Sequence, residues 1–209
     1  MPKKHTFNIA TSSLLKALLL CVVVALSGCS TYKPAKTTDI CNIFRGETDW
    51  YKAARKAQKR WGTPIPLMMA IINQESSFRH NVRPDRPKFF FIPLPRRSSA
   101  YGYAQAQDPA WNDYRRDTGH WSHDRDKFGD AINFVGWYTD KSHKNLGLSK
   151  WDASNQYLAY HEGWGNFKDY KKSPKVIPYA REVDRVAKKY RAQLNQCKNQ
   201  LTTNKYFIY

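Results

Sequence analysis

Apolar residues recur every three to four positions along most of this chain, a period that predicts helices. Trp50, Ala53, Ala54, Ala57 and Trp61 predict a packing helix over 47–61. Thr63 as a cap and Pro64 in a first turn predict a second over about 64–76. In that helix Met68, Ile71, Ile72 and Glu75 fall at i, i+3, i+4 and i+7, so a carboxyl shares the apolar face. Further helices are predicted from about Pro109, from Asp126 to Lys144, and from Lys150 to Glu162, with Ser149 and Asp152 as a capping pair and Gly163 as the stop. The last starts near Pro178 and carries the stripe Val183, Val186, Tyr190, Leu194 and Cys197. Four prolines between 84 and 95 exclude a helix there and leave Phe89 to Ile92 as a strand of a short β-hairpin insert. No repeat and no strong alternation is present, so the fold class is mainly α.

Glu75 is the informative position. A carboxyl on an apolar face without a basic partner is held protonated closer to neutral pH, as a general acid requires; the plainer alternative is a helix-end side chain that reaches water. Downstream stand Gly102-Tyr103-Ala104-Gln105 and Ala159-Tyr160-His161. With Glu75-Ser76, these segments resemble, in order, the Glu-Ser, Gly-Leu-Met-Gln and Ala-Tyr-Asn motifs of the family 1 lytic transglycosylases, whose domain is related to goose-type lysozyme. The resemblance covers roughly residues 47 to 170 and implies a single lysozyme-like domain. It implies Glu75 as sole catalytic acid and base, with Ser76, Gly102, Tyr103, Gln105, Tyr160 and His161 as the substrate-binding set. Cleavage between N-acetylmuramic acid and N-acetylglucosamine would then leave a 1,6-anhydro end without consuming water. In that site Tyr160 is expected to position Glu75 or the substrate's acetyl group, and Gly102 to let backbone approach substrate. Tyr101, Tyr103, Trp111 and Trp164 are candidates either for sugar stacking or simply for the core.

The chain also departs from the family. Tyr103-Ala104 replaces Leu-Met, His161 replaces Asn, and the interval from Ser76 to Gly102 is long. Glu162 follows His161; with Gly163 ending the helix, its carboxylate is expected to be solvated.

Residues 1–28 read as a leader, with Lys3 and Lys4 ahead of a largely apolar run from Leu14 to Leu26. Leu26-Ser27-Gly28-Cys29 resembles a lipoprotein processing site, which implies acylation of Cys29; Ser30 after it implies the outer membrane, on its periplasmic face. Residues 29–40 then read as a tether, 41–200 as the domain and 201–209 as a tail. Cys41 and Cys197 remain, either bonded, as an oxidising compartment allows, or as two buried thiols.

The formal charge is +18; without the three leader lysines it is +15. Such a surplus raises nucleic acid as a partner, but the basic residues form no binding motif and export removes the opportunity. Peptidoglycan strands and, through Cys29, membrane lipid are the expected partners. His120 and His123 have no further ligand at metal spacing, Ser76-Ser77 has no catalytic His-Asp context, and no phosphate loop is present, so no metal or cofactor is expected. Two other functions stay open: a muramidase that hydrolyses the same bond, and a non-catalytic glycan-binding envelope lipoprotein.

Overall fold

A computed structural model describes residues 31–167 and 174–203. The leader, Cys29 and residues 204–209 of the tail lie outside the described residues. Among those described are seven helices: α1 (Ile40–Gly46), α2 (Thr48–Trp61), α3 (Ile65–Ser76), α4 (Asp108–Thr118), α5 (Phe128–Leu146), α6 (Ala153–Glu162) and α7 (Ile177–Thr203). A two-stranded antiparallel hairpin, β1 (Lys88–Phe89) and β2 (Ile92–Pro93), lies between α3 and α4. The mainly helical, lysozyme-like class expected from the sequence is the class observed.

The middle of the fold is α3. Every residue from Ile65 to Ile72 is buried, so this helix is apolar all round and packs against α7, α5 and α2. Thr63 does not cap it. Pro64 occupies the cap position, and the Thr63 hydroxyl instead meets the Thr139 hydroxyl at 2.8 Å, which satisfies both in the core. Asp152 caps α6 by accepting from the Asn155 amide at 3.0 Å, while the Ser149 hydroxyl accepts from the Trp151 amide.

Helix α1 was not legible in the sequence. The Asp39 carboxylate starts it by accepting from the Cys41 and Asn42 amides. It carries Cys41 to α7, where Cys41 and Cys197 are disulfide-bonded with Cα atoms 6.1 Å apart and a sequence separation of 156. Closing so long a loop contributes about 5 kcal/mol on the chain-entropy model. Residues from Tyr32 onward form one compact unit, although the sequence reads a tether as far as 40. Tyr32 packs edge-on against Trp50 at 5.2 Å, Pro34 is buried, and the Thr37 carbonyl accepts from the Tyr190 hydroxyl.

In the insert, Lys88 pairs with Pro93 and Phe89 with Ile92. The turn therefore falls inside the run from Phe89 to Ile92, with Phe90 in the left-handed region at φ 56°. Pro93 closes the short ladder, and just beyond it the Leu94 amide donates to the Pro87 carbonyl at 2.8 Å. No helix of the described residues is long and apolar enough to cross a membrane.

Candidate active site

Glu75 stands in the last turn of α3, where Ser77 (φ 50°) and Phe78 (φ 59°) break the helix in the left-handed region. Non-glycine residues in that region are uncommon and each costs about 1 kcal/mol or more. Phe78 offsets this by being fully buried and tilted against Trp50 at 5.8 Å. Ser76, also buried, donates its hydroxyl to the Ile72 carbonyl at 3.1 Å, so it serves the helix end.

The Glu75 carboxyl reaches the floor of a cleft of about 430 Å³ that Gln105, Ala106, Tyr138, Tyr160 and Glu162 also line. Its Oε1 is buried without a hydrogen-bond partner. Burial pushes the carboxyl up to about 7, and the Tyr157 hydroxyl, which donates toward it from α6, only partly opposes that shift. The negative end of the α3 dipole acts in the same direction as burial. No basic side chain pairs with this carboxyl among the described residues.

The second motif is a tight loop closed by a bridge between Tyr101 and Ala106. Gly102 has φ 77°, and a Cβ there would overlap the Arg125 carbonyl. The close approach that requires glycine is thus made by the protein's own backbone. The Gln105 amide nitrogen donates to the Val82 and Gly102 carbonyls at 2.9 and 2.8 Å, holding the residue at φ 47°. Arg125 fixes the other side by donating to the Ser99 and Ala106 carbonyls and pairing with Asp108 at 2.8 Å.

Helix α6 supplies the third motif. Tyr160, expected to position Glu75, donates its hydroxyl to the Ala104 carbonyl at 2.5 Å and so fastens α6 to the second motif. Burial and the nearby Glu75 raise the Tyr160 hydroxyl well above the ordinary tyrosine range. It is Tyr157, one turn earlier, that meets the Glu75 carboxyl. Tyr138 joins the wall by stacking edge-on with Tyr160 at 5.0 Å, and Phe134 packs beneath it.

Several candidates lie elsewhere. Tyr103 is 1% exposed, edge-on to Trp50 and Phe128, so its ring belongs to the core and cannot stack a sugar. Trp111 is buried against Tyr114 and Phe134. Tyr101 donates to Asp126 and lies under Arg83, while Trp164 is half-buried and donates to the Ser142 hydroxyl. His161 lines the rim with its Nδ1 3.2 Å from the Glu162 carboxylate. The Glu162 side chain is 17% exposed and faces the cleft, less solvated than the helix stop at Gly163 suggests. His120 and His123 stack at 4.1 Å just after the end of α4, held by Arg60, Tyr114 and Asp130.

A family model described as the transglycosylase SLT domain matches residues 17–197. The chain belongs to this family. Comparison with curated proteins and with solved structures gave no match. As an SLT domain, the protein is of the lytic transglycosylase kind, with peptidoglycan as its substrate. The SLT cleft joins three separate stretches of chain: the end of α3, the loop over 101–106 and the end of α6. Of its scaffolding residues, Arg125 was not singled out by sequence, whereas Tyr157, three residues before Tyr160, is read there as sharing a side of its helix with Tyr160, so that one of the two hydroxyls reaches the cleft.

Proposed function

We propose that this SLT domain is a membrane-bound lytic transglycosylase of family 1, cutting the β-1,4 bond between N-acetylmuramic acid and N-acetylglucosamine. Glu75 first protonates the bridging oxygen, and the muramoyl N-acetyl group stabilises the positive charge developing at C1. The Glu75 carboxylate then takes the proton from the C6 hydroxyl as that oxygen attacks C1. A 1,6-anhydro ring closes, Glu75 regains its proton, and no water is consumed.

The observation that carries this reading is the buried, cation-free Glu75 carboxyl, raised to about 7 at the floor of the cleft. Near neutral pH such a group exchanges a proton in either direction, which one residue acting twice must do. Tyr157 steadies the ionised form when it appears. Gln105, with its amide nitrogen committed to the loop, offers the substrate its oxygen as acceptor. Gly102 and Ser76 shape the site through the backbone, and His161 meets substrate at the rim. Acylation of Cys29 anchors the enzyme to the periplasmic face of the outer membrane.

One observation favours a second reading. Glu162 lines the same cleft, and a second carboxylate is what a hydrolytic muramidase uses to activate water or to act as nucleophile. Purified sacculi digested with the wild type, Glu75→Gln and Glu162→Ala distinguish the two through mass spectrometry of released muropeptides. Anhydro ends, one water lighter than reducing ends, lost with Glu75→Gln and kept with Glu162→Ala, are expected. Reducing ends that need both carboxyls would establish the muramidase, and binding without turnover would establish a non-catalytic glycan-binding protein.

A further inference from the structure

The most conspicuous feature outside the cleft is the hairpin between the first two motifs. Phe89, Phe90, Phe91 and Ile92 are consecutive and 63%, 82%, 86% and 58% exposed; Leu94 adds a fifth apolar side chain at 40%. Among the described residues the other large exposed apolar side chains, Trp121, Trp151 and Tyr179, are scattered singly and need no partner. Water is a poor solvent for four adjacent apolar side chains, and none of them contributes to the core.

The surroundings of this tip identify its partner. Within residues 83–97 stand Arg83, Arg86, Lys88, Arg96 and Arg97 against the single acid Asp85, all of them exposed. Arg83, Arg86 and Arg96 line one recess at the foot of the hairpin, where the Arg96 Nε also donates to the Pro84 carbonyl and ties the two arms together. An apolar, aromatic tip above a basic collar is the arrangement of a segment that sits at the surface of an anionic bilayer. A protein partner fits less well. The two strands are only two residues long and present no groove, and five apolar side chains fall short of the roughly 20–30 residues a side of a standard protein interface.

We propose that the hairpin over 87–94 is a membrane-seating wedge. The tip from Phe89 to Ile92 enters the interface of an anionic phospholipid bilayer, and the arginines and Lys88 engage the headgroups. Ser98 and Ala100 line both the basic recess and the catalytic cleft, so seating the tip sets the mouth of the cleft beside the lipid surface. The wedge is distinct from acylation at Cys29 and does not require it.

The test uses the chain begun at Ser30, since the unit from Tyr32 onward holds its own core and disulfide. It is sedimented with vesicles of phosphatidylethanolamine and phosphatidylglycerol, and in parallel with vesicles of phosphatidylcholine alone. Wild type is expected to bind the anionic vesicles, at least tenfold more weakly in high salt or with neutral lipid. Phe90→Asp with Phe91→Asp should cost at least tenfold in vesicle affinity while leaving far-UV circular dichroism and turnover of suspended sacculi unchanged. Equal sedimentation of wild type and the double variant would overturn the proposal, as would a wild type that stays in solution with anionic vesicles. Equal binding to neutral and anionic lipid would overturn the role of the basic collar.

Discussion

Two largely buried carboxyls, Asp140 on α5 and Glu75 at the end of α3, are treated by this fold in opposite ways. The Asp140 side chain, 8% exposed, meets Lys150 at 2.5 Å and Lys144 at 2.7 Å, and Lys150 also donates to the Trp61 carbonyl. Burial alone would raise Asp140, but the two ammonium groups outweigh it and its carboxyl lies below the usual range. The Glu75 carboxyl is the more strongly desolvated of the two and has only a phenol for company, so burial wins and it rises to about 7. Loss of solvent gives a fixed anion that pins α2 and α5 to the start of α6 where two cations answer it, and an exchangeable proton in a cleft where none does. What separates structure from chemistry here is the presence of a cation.

Glu75→Gln should have the largest effect. Turnover of sacculi is expected to fall by about 10²- to 10⁴-fold, the usual worth of a general acid and base. Stability should move the other way. The folded value, about 7, exceeds the ordinary value of 4.5, so the folded state holds a proton the unfolded chain has lost. Stability therefore falls as pH rises from 4.5 through 7, at a total cost of up to about 3 kcal/mol. Melting at pH 8 should show the variant more stable than wild type by several degrees, and melting at pH 4.5 should show little difference.

Asp140→Asn leaves Lys150 inside without its anion and should cost about 3 kcal/mol in denaturant unfolding, with turnover per folded molecule unchanged. Its pH dependence has the opposite sign to that of Glu75. Because the folded Asp140 value is lowered, its stabilisation is complete above the ordinary value of 3.8 and is lost as pH falls through the folded value. Tyr157→Phe removes the hydroxyl that favours the Glu75 anion. Turnover should drop by about tenfold, and the alkaline limb of kcat/KM, which for wild type falls above about 7, should move to higher pH. Lys144→Ala is the smallest case. That lysine is 64% exposed, and losing it should change stability by less than about 1 kcal/mol, since Lys150 remains with Asp140.

Glu75 was legible because its place seven residues after Met68 on an apolar helix can be read from spacing alone. The order of the three motifs then supplied the cleft. Which tyrosine reaches the carboxyl was not legible: Tyr157 and Tyr160 share one side of α6, and a modest rotation of the helix decides between them. Tyr103 was misplaced for a related reason, since the left-handed Gly102 beside it turns the chain and sends the next ring into the core. Arg125 acts through two backbone carbonyls far away in sequence, and no periodicity records such contacts. Helix α1 is only seven residues long, too short for a helical period to stand out, and its existence rests on the Asp39 cap and the disulfide.

The most direct measurement is the ionisation of Glu75 itself. Carboxyl ¹³C chemical shifts of glutamate-labelled protein, followed from pH 3 to 9 and assigned by the signal missing in Glu75→Gln, give its midpoint without reference to any assay. A midpoint near 7 is expected for a buried carboxyl with no cation beside it. A midpoint at or below the ordinary value of 4.5 would contradict it, because Glu75 would then be an anion throughout the neutral range and could not serve as the acid.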